Sequence, residues 1–299
     1  MTELFHALAH ALPHALSETL LLLPFLYLTY LAIELLERHT GEHTERYIKR
    51  SGKAGPLLGA LLGLVPQCGF SAAGAGLYAA RMISSGTLLA IFWSTSDEML
   101  PLLLSSGVPL PQVLKILLIK GLIAMCAGFL VDIIARAYVK RRGIAPAPVA
   151  IGDMCRAGHC HCDHRPFWLA ALTHTLQIAL TVFAVSTLLH TALECIGEDA
   201  LTVFLSSVPV LSCLLAALVG LIPNCASSVA ITTLYCSGVL SAGALLSGLL
   251  VGAGVGVLVL FRVNRPLKDS LRLLALLFIV GVGVGILFDA LRLGALLGL

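Results

Sequence analysis

Charged side chains are scarce in this chain. Asp, Glu, Lys and Arg make up 12% of its 299 residues, against 58% hydrophobic, and the mean hydropathy is +0.97. A soluble globule cannot hide that much apolar surface, so the composition points to an integral membrane protein. Several apolar runs reach the roughly 20 residues that a helix needs to cross a bilayer core. No GxxxxGK[ST] phosphate loop occurs, which argues against direct ATP hydrolysis. No Cys-x-x-Cys pair occurs either, and Cys160-x-Cys162 is a weak substitute for a redox centre. Lys and Arg are missing ahead of Arg38, so MTELFHALAH lacks the basic first region of a secretory signal. The nine cysteines fall mostly in apolar runs or in one polar loop and read as thiols rather than disulfides.

What the chain does have is a repeated phrase. Residues 63–71 read GLVPQCGFS and residues 220–228 read GLIPNCASS. A shift of 157 superposes Gly63 on Gly220, Pro66 on Pro223, Cys68 on Cys225, Leu77-Tyr78 on Leu234-Tyr235, and Ser84 and Gly86 on Ser241 and Gly243. The same shift carries Gly128 and Asp132 onto Gly285 and Asp289. Upstream, a shift of 160 aligns ALPHAL (11–16) with ALTHTL (171–176) and Glu34 with Glu194. Matches spread this widely mark a duplication: a first membrane repeat over 1–139, a His/Cys-rich linker over 140–166 and a second membrane repeat over 167–299.

Each unit reads as five helical elements. In the first, 13–36 is a span, and 54–65 and 70–80 are apolar pieces too short to cross comfortably, joined at Pro66-Gln67-Cys68-Gly69 as a Pro-broken, re-entrant hairpin. Residues 87–104 and 113–139 supply two further spans. An odd count makes the second unit enter from the opposite side. The expected fold is therefore an all-α integral membrane protein with ten helical segments in two inverted repeats. Lys and Arg test this, because cytoplasmic loops collect them. Arg38, Arg46, Lys49, Arg50 and Lys53 crowd the first loop, Lys140, Arg141, Arg142, Arg156 and Arg165 the linker, and Arg262, Arg265 and Lys268 the loop near 265. Residues 105–112 and 191–200 contain none. The expected location is the inner (plasma) membrane, with both termini outside and the linker cytoplasmic.

A proline frees backbone groups that lipid cannot satisfy, so such a break belongs in protein or a watery cavity. Inverted-repeat transporters bring interrupted helices together near the midplane to form their substrate site. On that reasoning Gln67, Cys68 and Ser71 with Asn224, Cys225 and Ser228 are the candidate cargo ligands; proline kinks with buried cysteines are the plainer reading. Asp97 and Glu98 fall in the apolar run TLLAIFWSTSDEMLPLLL, where a carboxylate costs about 2.5–3.5 kcal/mol by insertion scales unless it faces a cavity, a cation or a proton. They join the set, one to ligate cargo and one to carry a coupling proton, unless one merely answers Lys115 or Lys120. The matching positions of the second unit are Gly254 and Val255. Asp132 and Asp289, with Arg136 and Arg292 at helical spacing, read as snorkelling ion pairs.

Histidines and glutamates suggest gates. His6, His10, His14 and Glu18 are four apart, along one stripe if helical. Inversion would put His14 and Glu194 at the outer face and their counterparts His174 and Glu34 at the inner one. In the linker, CRAGHCHCDH places Cys155, His159, Cys160, His161, Cys162 and His164 within ten residues. Thiolate and imidazole together favour Zn, Cu, Cd, Co or Ni over Mg or Ca, for capture of ions or sensing of their level.

The GLVPQCG and GLIPNCA turns, WSTSDEMLP at 93–101, the His/Cys-rich linker and the overall length resemble the ten-transmembrane heavy-metal exporters of the arsenic efflux and manganese transporter type. The resemblance covers essentially the whole chain and implies export of a metal or metalloid. The expected function is secondary-active, proton-coupled export of a divalent heavy metal or a metalloid, with no enzymatic activity. No cofactor is expected beyond a transition-metal ion as cargo or linker ligand. The partners are that ion, protons and the lipid bilayer, with no nucleic acid and a homo-oligomer left open. Two other classes stand beside it. An anion or phosphate-headed lipid carrier would use the helix N-termini after the breaks at Gly69 and Ala226, although the turns contain no Arg or Lys. An intramembrane thiol oxidoreductase would use Cys68 and Cys225.

Overall fold

The computed structural model describes residues 54–65, 68–95, 99–105, 107–142, 166–196, 209–223 and 225–294, together with helical positions between 12 and 31. Among these residues every regular element is an α-helix. The first half contributes α1 (Gly55–Gly63), α2 (Cys68–Ala79), α3 (Ser85–Ser94), α4 (Met99–Ser105) and α5 (Leu110–Arg142). The second contributes α6 (Phe167–Ile196), α7 (Pro209–Gly220), α8 (Cys225–Cys236), α9 (Ala242–Val251), α10 (Val255–Val263) and α11 (Leu267–Ala290).

Three stretches, Leu110–Arg141, Ala242–Val263 and Leu267–Ala290, are long and apolar enough to cross a bilayer. On α5, Leu110, Leu114, Leu118 and Leu122 are all exposed. Their fourfold spacing lines them along one face, an apolar stripe that water would not tolerate and lipid would. The chain is membrane-embedded. The Ala242–Val263 stretch is 78% buried, against 33% for Leu110–Arg141 and 28% for Leu267–Ala290. The former is therefore enclosed by protein, while α5 and α11 turn their apolar faces outward.

The proline turns fall where the sequence puts them: α1 ends at Gly63 and α2 begins at Cys68, and α7 ends at Gly220 and α8 begins at Cys225. The structure differs at 87–104 in that this stretch is not one continuous helix: α3 ends at Ser94 and α4 begins at Met99. α3 stops at Ser94, and Thr95 turns to an extended conformation (φ −53°, ψ 130°). Side-chain hydroxyls accompany the stop. Ser94 Oγ donates to the Ala90 carbonyl at 2.7 Å and Thr95 Oγ1 to the Ile91 carbonyl at 2.7 Å, a local competition that weakens and bends helices. At the equivalent place, the Ala242–Val263 stretch is interrupted between Val251 and Val255, with Gly254 at φ 51°. That left-handed backbone suits glycine.

Two apolar cores explain why both helices break. One joins Tyr78 of α2 and Leu88 and Trp93 of α3 to Val257 and Leu260 of α10. The other joins Ile231 of α8 and Leu245 of α9 to Met99 and Leu103 of α4. Thus α3 and α4 lie in different cores, and α10 lies in the first while α9 lies in the second except for Leu250, at its break end, which joins the first. Each broken helix passes from one core to the other at its break.

The same joint is built twice. Ser84 caps α3 by accepting from Thr87 N at 3.1 Å and donates to Asp132 Oδ2 at 2.7 Å, while Gly86 N donates to Asp132 Oδ1 at 2.9 Å. One offset later, Ser241 accepts from Ala244 N at 3.1 Å and donates to Asp289 Oδ2 at 2.5 Å, and Gly243 N donates to Asp289 Oδ1 at 2.8 Å. Each aspartate therefore satisfies the orphan donors at a helix N-terminus and adds charge of the favourable sign. A Cβ on Gly128 would lie 2.7 Å from the Gly86 carbonyl oxygen, and one on Gly285 would lie 2.5 Å from that of Gly243, so only glycine lets these helices approach. This corrects the reading of Asp132 and Asp289 as snorkelling residues. Arg136 does reach Asp132 at 3.5 Å, but the carboxylates serve mainly to fasten α5 to α3 and α11 to α9. Arg292 ends α11 in a left-handed conformation (φ 51°).

Candidate functional site

Most of the predicted site falls outside the described residues: Gln67, Asp97, Glu98, Asn224, His14, Glu34 and the linker residues Cys155, His159, Cys160, His161, Cys162 and His164. Cys68 and Cys225 open α2 and α8, and His174 and Glu194 lie within α6; the side chains of these four are outside the described residues too. Ser71 and Ser228 are described in full, so they and the ends of the breaks define the site's geometry.

Both serines border the same break. Ser71 is completely buried in the first turn of α2, and a Cβ on Gly256, at the start of α10, would lie 2.7 Å from the Ser71 Cβ and 2.8 Å from a Phe92 ring carbon. Ser228 stands one turn into α8, and its Oγ lies 3.6 Å from where a Gly252 Cβ would be. The residues that follow the two proline turns, one in each half, thus flank the interruption between α9 and α10 from either end. Glycine at 256 is what leaves room for Ser71, whereas a Cβ at 252 would only touch Ser228.

The other break has a feature that sequence reading weighed only as a countercharge. Lys120, in the middle of α5, is 0% exposed, and its Nζ donates to the backbone carbonyl of Thr95. The α3 C-terminus carries the negative end of the helix dipole, a suitable place for a cation, and a buried ammonium without such partners would be strongly unfavourable. Asp97 and Glu98 follow Thr95 by two and three positions in the chain. The residue that corresponds to Lys120 is Leu277, whose carbonyl accepts from Trp93 Nε1 at 3.3 Å. A lysine inside an apolar run was the available signal; the missing information was which helix end it faces.

Chemically, the arrangement offers two interrupted helices lined by hydroxyls, with fixed charge at one of them. Among the described residues no group of three or more His, Cys, Asp or Glu side chains is placed to hold a metal ion. In comparison with known proteins, the chain matches no family model, no curated relative and no solved structure.

Proposed function

We propose that this chain is a secondary-active transporter of the inner membrane that exports a divalent heavy metal or a metalloid in exchange for protons. Its halves are inverted repeats of five helical elements each, the proline-broken hairpin counting as two and a broken helix as one. The cargo is held where the breaks meet, by Gln67, Cys68, Asn224 and Cys225 at the proline turns, Ser71 and Ser228 behind them, and Asp97 or Glu98 at the charged break. The observation that supports this most is that Ser71 and Ser228, one from each half, border a single helix interruption. Thiolates select soft or borderline ions, and of the two carboxylates one ligates cargo while the other carries the coupling proton. The linker captures or senses ions on the cytoplasmic side, and His14, Glu34, His174 and Glu194 serve the entrance and exit.

Buried Lys120 also favours a second reading, an anion carrier, because a fixed ammonium attracts phosphate or a phosphate-headed lipid. Its Nζ is engaged by the Thr95 carbonyl, which lessens its pull on an anion. Flux into sealed vesicles distinguishes them, measured for Zn, Cd, Co, Ni, Mn, arsenite and inorganic phosphate with and without a pH gradient. We expect gradient-dependent flux of a metal or arsenite, lowered at least about tenfold, or 1.4 kcal/mol, by Cys68→Ser, Cys225→Ser or Asp97→Asn. Unchanged flux in all three variants would remove the site assignment, and phosphate flux alone would establish the anion carrier.

A further inference from the structure

A polar cluster ties the end of α2 to the turn between α10 and α11. Asp269 Oδ2 accepts from Tyr78 Oη at 2.8 Å and from Asn264 Nδ2 at 3.1 Å, and lies 3.5 Å from Arg81 Nη1. Arg81 Nη2 also donates to the Arg265 carbonyl at 3.0 Å, and its guanidinium lies 5.4 Å from the centre of the Tyr78 ring. Asn264 is buried, and although its Nδ2 donates to Asp269 and to Ser270 Oγ, its Oδ1 has no hydrogen-bond partner. The cluster joins the two halves of the molecule at the end of the α2–α10 packing.

Arg81 adopts a backbone conformation that arginine disfavours. Both α2 and α8 end in the same capped turn: Arg81 N and Met82 N donate to the Tyr78 and Leu77 carbonyls at 2.8 and 2.9 Å, and Gly238 N and Val239 N donate to the Tyr235 and Leu234 carbonyls at 3.0 Å each. The left-handed position of that turn, φ 60° in one half and 77° in the other, is Arg81 in α2 and Gly238 in α8. Glycine is the usual residue there, so the arginine is retained against local preference, where its side chain reaches the other half. At the positions that would form the counterpart cluster stand Tyr235, Gly238 and Gln112, which carry no charge.

We propose that Tyr78, Arg81, Asn264 and Asp269 form a latch that holds one face of the pathway closed, and that the opposite face, with uncharged Tyr235, Gly238 and Gln112 at the corresponding positions, opens first. As a gate on cargo, this rests on the transport reading above. The side chains of Arg81 and Asp269 remain 25% and 29% exposed, so water can compete for the pair, as a reversible closure requires. The unpartnered Asn264 Oδ1 leaves the closed arrangement short of one hydrogen bond, which eases its release. On the charge pattern of the loops, the latched face is the cytoplasmic one, beside Arg262, Arg265 and Lys268.

Hydrogen–deuterium exchange on the detergent-purified full chain tests the latch without reference to cargo. Asp269→Asn should speed exchange at least about tenfold in 72–82 and 255–264 and leave 229–239 within about twofold. Arg81→Gly puts at this turn the residue that the equivalent turn already uses, so it should fold; it should produce the same local increase. Unchanged exchange at 72–82 and 255–264 in both variants, or an increase spread evenly over both halves, would overturn the latch. In sealed vesicles the two variants should also shift the zinc or cadmium concentration for half-maximal flux by at least about threefold. A local exchange increase in a chain that moves no ion would leave the latch standing and refute the transport reading. Ion flux with unaltered exchange would do the reverse.

Discussion

The break after Thr95 and the break after Val251 occupy equivalent places in one packing scheme, each where a helix leaves one apolar core for the other. Their surroundings differ in kind. The first has Lys120 buried against the Thr95 carbonyl, with Asp97 and Glu98 next in sequence; the second has Leu277, Gly254 and Val255 at the corresponding positions. The joint recurs in both halves, and the buried lysine does not. The uncharged break, bordered by Ser71 and Ser228, offers hydroxyls only. In the proposed transporter the charged break supplies the groups that bind ions and move protons.

The comparison can be broken in two ways. The larger effect is expected at the shared joint. Asp132→Asn and Asp289→Asn should each lower stability by about 1–3 kcal/mol, because each leaves a helix N-terminus with poorer partners in a buried setting. The loss should be similar in the two halves, read as the midpoint of thermal unfolding in detergent. A loss in one half only would show that the two joints are not equivalent. A smaller effect is expected at Gly238→Ala. Nothing lies within 4 Å of the added Cβ, so the cost is that of a left-handed backbone, about 1 kcal/mol. If it left the unfolding midpoint unchanged, the argument that Arg81 is retained against local preference would weaken.

How much of this was legible depends on the distance between partners. The proline turns at 63–68 and 220–225 were readable because proline and glycine act locally. Ser84, Gly86, Gly128 and Asp132 were visible as repeat matches, but their purpose was not: two donors to Asp132 come from 48 and 46 residues earlier, whereas only Arg136, four residues on and also in contact at 3.5 Å, was near enough to read. The interruption at Thr95 was missed because 87–104 contains no proline beyond Pro101 and no glycine; what accompanies the end of α3 is a change of core. The same event in the second half was advertised by Gly252 and Gly254. The latch was out of reach, since Tyr78 and Asp269 are separated by 191 residues.

The central claim is that the charge present at only one break drives transport. Ion flux into sealed vesicles, compared between Lys120→Met and Leu277→Met, tests it most directly. These are repeat-related sites given the same apolar residue, and Leu277→Met is close to volume-conserving. The account predicts that Lys120→Met lowers flux at least about tenfold and that Leu277→Met stays within about twofold. Equal losses at the two sites, or a loss at Leu277 alone, would contradict it.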